Sequence, residues 1–400
     1  MQREDLHRWG CVLGLALGIA ASIGFARFAY GLILPAMQAD QGWSYAQAGW
    51  INTANALGYL GGAFLTLTLV KHLSPERMFS WGVIVTAVSL VLSGLTQTFA
   101  LLTLWRIASG LAGAAVLVSG SVLVGAVFAD PKRMALAVAI YFGGAGFGMV
   151  LTGATLPALF AIQGPSAWPA AWIGLGVASG IAAVLSIWAV RNLGRSEIPA
   201  PALSDPSHAP RLPVGQLLFS LLGYGLFASG SIIYLTFLVV WMQENAAGPA
   251  LVSVTWITIG LAVVVSPLLW RSVLMRFDNG VPLALAIGVT ALGALLPLAI
   301  PGGTALIVSA LFFGLACFTP PAALTAFSRR NLPPQSQGAA MALFTIMFAT
   351  GHTIGPVAGG ALGDLTGSIK GGLVATVAVL VIGTLVALRQ RSLPRSTDTA

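Results

Sequence analysis

The sequence predicts an all-α integral membrane protein, with twelve transmembrane helices arranged as two pseudo-symmetric six-helix bundles. Three observations carry this. The 400 residues are 57% hydrophobic and only 8% charged, against about a quarter charged in an ordinary soluble domain, so a water-soluble globule could not be covered. Apolar runs of about twenty residues, the length a helix needs to cross the hydrocarbon core, recur along the chain. The second half also repeats the first at a nearly constant offset. The alternating ten-residue segments of a membrane β-barrel are absent, while 48 glycines and 22 prolines suit helices that pack closely and bend.

Apolar runs between charged or Pro/Gly breaks place helices near 10–36, 45–70, 77–97, 100–128, 134–160 and 167–190, then 214–242, 249–274, 280–299, 303–327, 337–362 and 369–388. The first run follows Arg3 and Arg8, as a signal peptide would, but it is too long for one and many spans follow, so it reads as a retained helix. Only TQTFA separates the third and fourth spans. The one long polar stretch, RNLGRSEIPAPALSDPSHAPRLP (191–213), has the Pro, Ser and charge content of a flexible linker. The expected organisation is therefore an N-terminal bundle (1–192), a linker (193–212) and a C-terminal bundle (213–400).

Twelve spans put both termini on one side. Sixteen of the 19 Lys/Arg then fall on that side, Lys370 falls on the other, and Arg27 and Arg106 lie within spans. This positive-inside bias makes the termini cytoplasmic. It also accounts for the net charge of +8 without nucleic acid. Cys11 and Cys317 sit in apolar runs, so neither a disulfide framework nor a metal site is readable.

The repeat is visible without gaps. At an offset of 207, Gly144, Gly148 and Gly153 fall on Gly351, Gly355 and Gly360, and Gly18, Ala21 and Ser22 fall on Gly225, Ala228 and Ser229. One residue of slip aligns Trp50-Ile51 with Trp256-Ile257. Parallel six-helix repeats are a transporter signature, with the substrate near the midplane between the halves.

GHTIGPVAGG (351–360) looks like the G-x-x-x-G-P-x-x-G-G element of the major facilitator superfamily, and RIASGLAG (106–113) like its fourth-helix R-x-x-x-G-x-x-G element. The chain resembles that superfamily over essentially its whole length. GFARFAYGLILPAM (24–37) with SYAQAGWINTANALGYLGG (44–62) is more specific, and looks like the bacterial branch named after the transporters YbfB and YjiJ. The resemblance implies the superfamily's fold, multi-pass insertion in a bacterial inner membrane, alternating access as a monomer and no enzymatic activity. It also implies a structural or coupling role for Arg106.

All eleven acidic residues lie in tails, loops or helix ends, so no carboxylate sits at mid-membrane to carry protons or attract a cationic drug. The ionisable residues at that depth are Arg27, Arg106 and His352. A charge in a span costs at least about 2.5–3.5 kcal/mol, so such residues usually face a cavity and serve function. A guanidinium stays charged and offers a planar fork to a carboxylate or phosphate. The reading is that Arg27 holds a substrate anion, the bland alternative being that it snorkels outward or caps carbonyls near a Pro35 bend. Tyr30, one turn on, is expected on the same face.

Asn52, Asn55 and Tyr59 recur on one face of the second helix, and Tyr224, Phe227, Ser231 and Tyr234 on one face of the seventh. They either line a wet cavity or bond between helices. His352 is read as a proton shuttle or a packing group, Pro356 as a bend, and Thr319-Pro320-Pro321 beside Phe312 and Phe313 as an interrupted tenth helix that gates. Neither a phosphate-cradling loop nor a hydrolytic triad is present, so neither primary active transport nor enzymatic chemistry is expected, and no cofactor and no metal are expected either. The functional expectation is a secondary transporter of a small organic anion, with the lipid bilayer as its environment and protons as a coupling ion. The alternative is a proton-coupled efflux pump for hydrophobic drugs or metabolites.

Overall fold

The computed structural model describes residues 3–69, 72–193 and 212–393. Lys71 and, apart from its two end residues, the expected linker 193–212 lie outside the described residues. The first span has three parts: α1 (Arg3–Ile19), a π-helical segment (Ala20–Phe28) and α2 (Tyr30–Gln41). The second to sixth are α3 (Tyr45–Leu69), α4 (Pro75–Gly94), α5 (Phe99–Gly125), α6 (Pro131–Gln163) and α7 (Trp168–Asn192). The seventh to ninth are α8 (Val214–Glu244), α9 (Pro249–Arg276) and α10 (Val281–Ala299). The tenth is broken into α11 (Gly303–Ala316) and α12 (Pro320–Asn331), and α13 (Pro334–Thr366) and α14 (Lys370–Leu388) complete the chain. Eleven of these spans are long and apolar enough to cross a membrane. The twelfth, α3, has 25 residues without a charge; its buried Asn52, Thr53 and Asn55 make it the least apolar.

The proline and turn signals act where elementary stereochemistry places them. Pro75, Pro131, Pro249, Pro320 and Pro334 open helices, where a missing N–H costs nothing. Gly42 closes α2 with φ +66°, a left-handed turn that a side chain would strain. In the tenth span Pro320 has no N–H, and Thr319 turns to the Ala316 carbonyl. The Leu315 carbonyl is met instead from α9, by Ser266 Oγ at 2.8 Å and Trp270 Nε1 at 2.6 Å. The expected interruption is thus a break braced from the neighbouring helix.

The repeat is a repeat of packing. A Cβ on Gly144 would meet the Ala16 carbonyl of α1, and one on Gly351 the Gly225 carbonyl of α8. Gly148 touches Ala20 and Gly24, and Gly355 touches Ser229. Gly153 then packs on Trp256 and Ile257 of α9, and Gly360 on Tyr45 and Ala46 of α3, each now crossing to the other set of six helices. The two sets meet along α6 with α9, α3 with α13, and α2 with α8.

Among the described residues, the hydrogen bonds between α3 and α13 lie between the end opposite the termini and mid-helix. Asp364 accepts hydrogen bonds from the backbone N–H groups of Tyr45 (2.8 Å) and Ala46 (3.0 Å), capping the α3 N-terminus. Tyr45 Oη donates to the Glu244 carboxylate, which also accepts from Ser368 Oγ at 2.7 Å. Gly49 lies against the Pro356 carbonyl, and Thr53 Oγ1 donates to the Thr353 carbonyl at 2.7 Å. Nearer the termini, Gly58 and Gly62 turn α3 onto Ile107 and Leu111 of α5 instead. The halves are clasped at the end opposite the termini.

Candidate functional site

Arg27 lies in the π-helical segment, the wider turn of which recurs at functional sites. It is 7% exposed, and its guanidinium lies over the Tyr59 ring, 4.9 Å from the centroid. Among the described residues it makes no hydrogen bond or ion pair; the ion pairs described are Arg8–Glu4 and Arg133–Asp5, both near the N-terminus. The helix that carries Tyr59, α3, is bonded across the boundary between the two sets of helices, from Thr53 Oγ1 to the Thr353 carbonyl beside His352 of α13.

Arg106 is more deeply buried, at 1%. Its Nη1 donates to the Ala26 carbonyl of the π-helical segment, and its plane lies 5.3 Å from the Tyr30 ring and 5.1 Å from the Trp172 ring. Nε and Nη2 have no partner. Arg106 thereby ties α5 to the π-helical segment of the first span.

Of the other residues singled out in the sequence, Tyr30 donates to the Ala48 carbonyl at 2.6 Å and stacks on Trp172. It shares Arg106's surroundings rather than Arg27's. The second-helix stripe fans out over three partners. Asn52 Nδ2 donates to Thr236 Oγ1 of α8 at 2.6 Å, Asn55 Nδ2 to Ser109 Oγ of α5 at 3.0 Å, and Tyr59 faces Arg27. The seventh-helix stripe divides as well. Tyr224 lies parallel to Phe227, Ser231 Oγ bonds the Ala228 carbonyl of its own helix, and Tyr234 reaches Ser309 Oγ and stacks on Phe313.

His352 holds its Nδ1 3.3 Å from the Phe348 carbonyl, with its ring against the Phe348 ring at 4.0 Å. Pro356 packs at the Gly49 crossing. The structure therefore brings together Arg27, Tyr59, His352 and Tyr224, and places Tyr30, Asn55 and Tyr234 in the packing of their own bundles. Phe348 is added to this group and had no signal beyond its spacing of four from His352. Two surface grooves, one at Pro35, Pro157 and Val239 and one at Leu65, Trp81 and Leu111, lie away from it.

The family profile described as "Uncharacterised MFS-type transporter YbfB" matches residues 19–388. The chain belongs to that family. Its match runs from the last residue of α1 to the last of α14 and so reaches every span. Among solved structures it is similar to a bacterial homologue of the human lysosomal transporter Spinster, inward-facing and unoccupied. There the TM-score is 0.71 at 17% identity, covering 97% of this chain and 99% of that one. It is also similar to that homologue in an inward-facing, occupied conformation (TM-score 0.65, 17% identity, 98% and 99% covered). A point mutant of the nucleoside transporter NupG gives TM-score 0.69 at 13% identity, covering 94% and 99%. These likenesses establish the fold alone. No curated protein sequence matches this transporter.

Proposed function

We propose that this transporter moves a small organic anion across the bacterial inner membrane by secondary, alternating-access transport. Residues 1–192 and 213–400 are the two rocking halves and 193–212 their linker. The observation that carries the reading is Arg27, a buried permanent cation with no carboxylate or hydrogen-bond partner among the described residues. An unpaired charge in a low-dielectric site costs several kcal/mol, and an arriving anion removes that cost. The positive-inside bias puts the termini in the cytoplasm, on the side away from the clasped end. Pro356 and the tenth-helix break serve the rocking, and Arg106 couples the first span to the fourth.

Purified protein screened against organic acids, amino acids and drugs by thermal stabilisation tests this, because a ligand that binds only the native state raises its apparent stability. Organic acids should stabilise the unmodified protein. Arg27→Ala should abolish that response, and Arg27→Lys should weaken it, since an ammonium lacks the bidentate fork. Normal transport by Arg27→Ala would remove the site assignment.

The aromatic cluster of Tyr224, Phe227, Phe344 and Phe348 favours one second reading, proton-coupled efflux of hydrophobic compounds through His352. Cation-selective drug resistance that vanishes in His352→Ala would replace the anion reading with this one.

A further inference from the structure

We propose that the substrate is a flat aromatic carboxylate, an inference that rests on the anion reading above and narrows it. The tyrosines divide sharply. Four of the six hydroxyls are committed to protein partners: Tyr30 to the Ala48 carbonyl, Tyr45 to Glu244, Tyr141 to the Val116 carbonyl and Tyr234 to Ser309. The other two, Tyr59 and Tyr224, have no hydrogen-bond partner among the described residues. Thr53 Oγ1 donates to the Thr353 carbonyl beside His352, so the helix that bears Tyr59 runs against the one that bears His352 and Phe348, and Phe348 stacks on Tyr224. Neither hydroxyl is sealed in protein as Trp256 Nε1 and Thr255 Oγ1 are. Arg27 is likewise without a partner, and His352 uses only Nδ1.

Polar atoms inside the helical bundle that have no protein partner and are not sealed by protein are completed by water or by a ligand, and here four residues present such atoms. They come from the first, second, seventh and eleventh spans, two from each half. Beside them the C-terminal half presents π faces. Phe348 lies between His352 at 4.0 Å and Tyr224 at 5.2 Å, and Tyr224 is parallel to Phe227 within 4°. An aliphatic acid would gain only area against this wall, whereas a planar ring also gains offset stacking. The carboxylate meets the Arg27 fork, the ring lies along Phe348 and Tyr224, and the Tyr59 and Tyr224 hydroxyls reach polar atoms of the ligand.

The test is binding to the purified full-length protein, with benzoate, cyclohexanecarboxylate and benzylamine as probes of matched size. Benzoate should half-saturate at a concentration about two- to twelvefold below cyclohexanecarboxylate, the increment typical of an aromatic pair, and benzylamine should not bind. Tyr224→Leu and Phe348→Leu should each bring the two acids to equal affinity while still binding both. Equal half-saturation in the unmodified protein overturns the aromatic class and leaves the anion reading standing. Binding of benzylamine, or of neither acid, overturns both. If one variant fails to fold the other decides, and full preference for benzoate in a folded variant removes the wall assignment.

Discussion

Two buried arginines of the same charge answer to opposite physics. Arg106 is stitched into its surroundings by the Ala26 carbonyl and two aromatic faces. Truncation leaves that carbonyl short of a donor and a void between rings, so Arg106→Ala should destabilise the protein by about 3 kcal/mol. Arg27 has a ring beneath it and nothing else among the described residues. Removing an uncompensated buried charge relieves its desolvation, so Arg27→Ala should melt higher than the unmodified protein without ligand, while losing stabilisation by acids. Thermal unfolding of both variants in one detergent reads this. A lower melting point for Arg27→Ala would mean that a partner holds the guanidinium. The Tyr59 ring contributes about 0.5–2 kcal/mol as a cation–π face, which Tyr59→Phe should largely keep and Tyr59→Leu should lose.

At the scale of elements, helices touch where a side chain is missing. A Cβ on Gly49 would stand 2.2 Å from the Pro356 carbonyl, and one on Gly360 2.3 Å from that of Tyr45. Gly49→Val should therefore spread α3 from α13 while leaving each bundle intact. Spin labels at Gln47 and Leu365, with Cys11 and Cys317 replaced by serine, should report a longer and broader distance in the variant. An unchanged distance would mean that this crossing does not set the closed end. The tenth-helix break makes a second element-scale prediction. Its Leu315 carbonyl relies on Ser266 and Trp270 of α9, so Trp270→Phe should cost about 1 kcal/mol in thermal stability, with Ser266 covering the rest.

Across the whole molecule, the end opposite the termini is held closed by polar contacts between the two sets of helices. The closure rests on carboxylates of the C-terminal half reaching a helix N-terminus of the other. Asp364 takes two backbone N–H groups of α3, and Glu244 takes the Tyr45 hydroxyl. Losing such a cap costs about 1 kcal/mol, which is about a fivefold change in the ratio of closed to open forms. Asp364→Ala should shift the same spin-label pair toward the open distance by that factor, whereas Asp364→Asn, which keeps an acceptor oxygen, should shift it less. Equal populations in all three proteins would remove the capping role.

The sequence by itself determined that the chain is membrane-embedded, where its helices lie, that its halves repeat, and that a cation stands at mid-depth without a matching anion. Each of these rests on composition or on spacing along one helix, which a chain carries before it folds. The repeat glycines were legible for the same reason, because close packing needs a small residue wherever the partner comes from. Which polar residues form the site was decided only by the tertiary structure. The spacing from Arg27 to Tyr30 presumes regular α-helical phase, and the π-helical turn between them changes it, so Tyr30 joins Arg106 while Arg27 meets Tyr59. A stripe such as Asn52, Asn55 and Tyr59 names a buried face but not its neighbours, and these three reach three different places. Asp364 read as an ordinary helix-end acid because the N–H groups it caps lie 319 and 318 residues away in sequence. Periodicity carries the orientation of a side chain about its own helix axis, and only the packing of twelve axes decides what it meets.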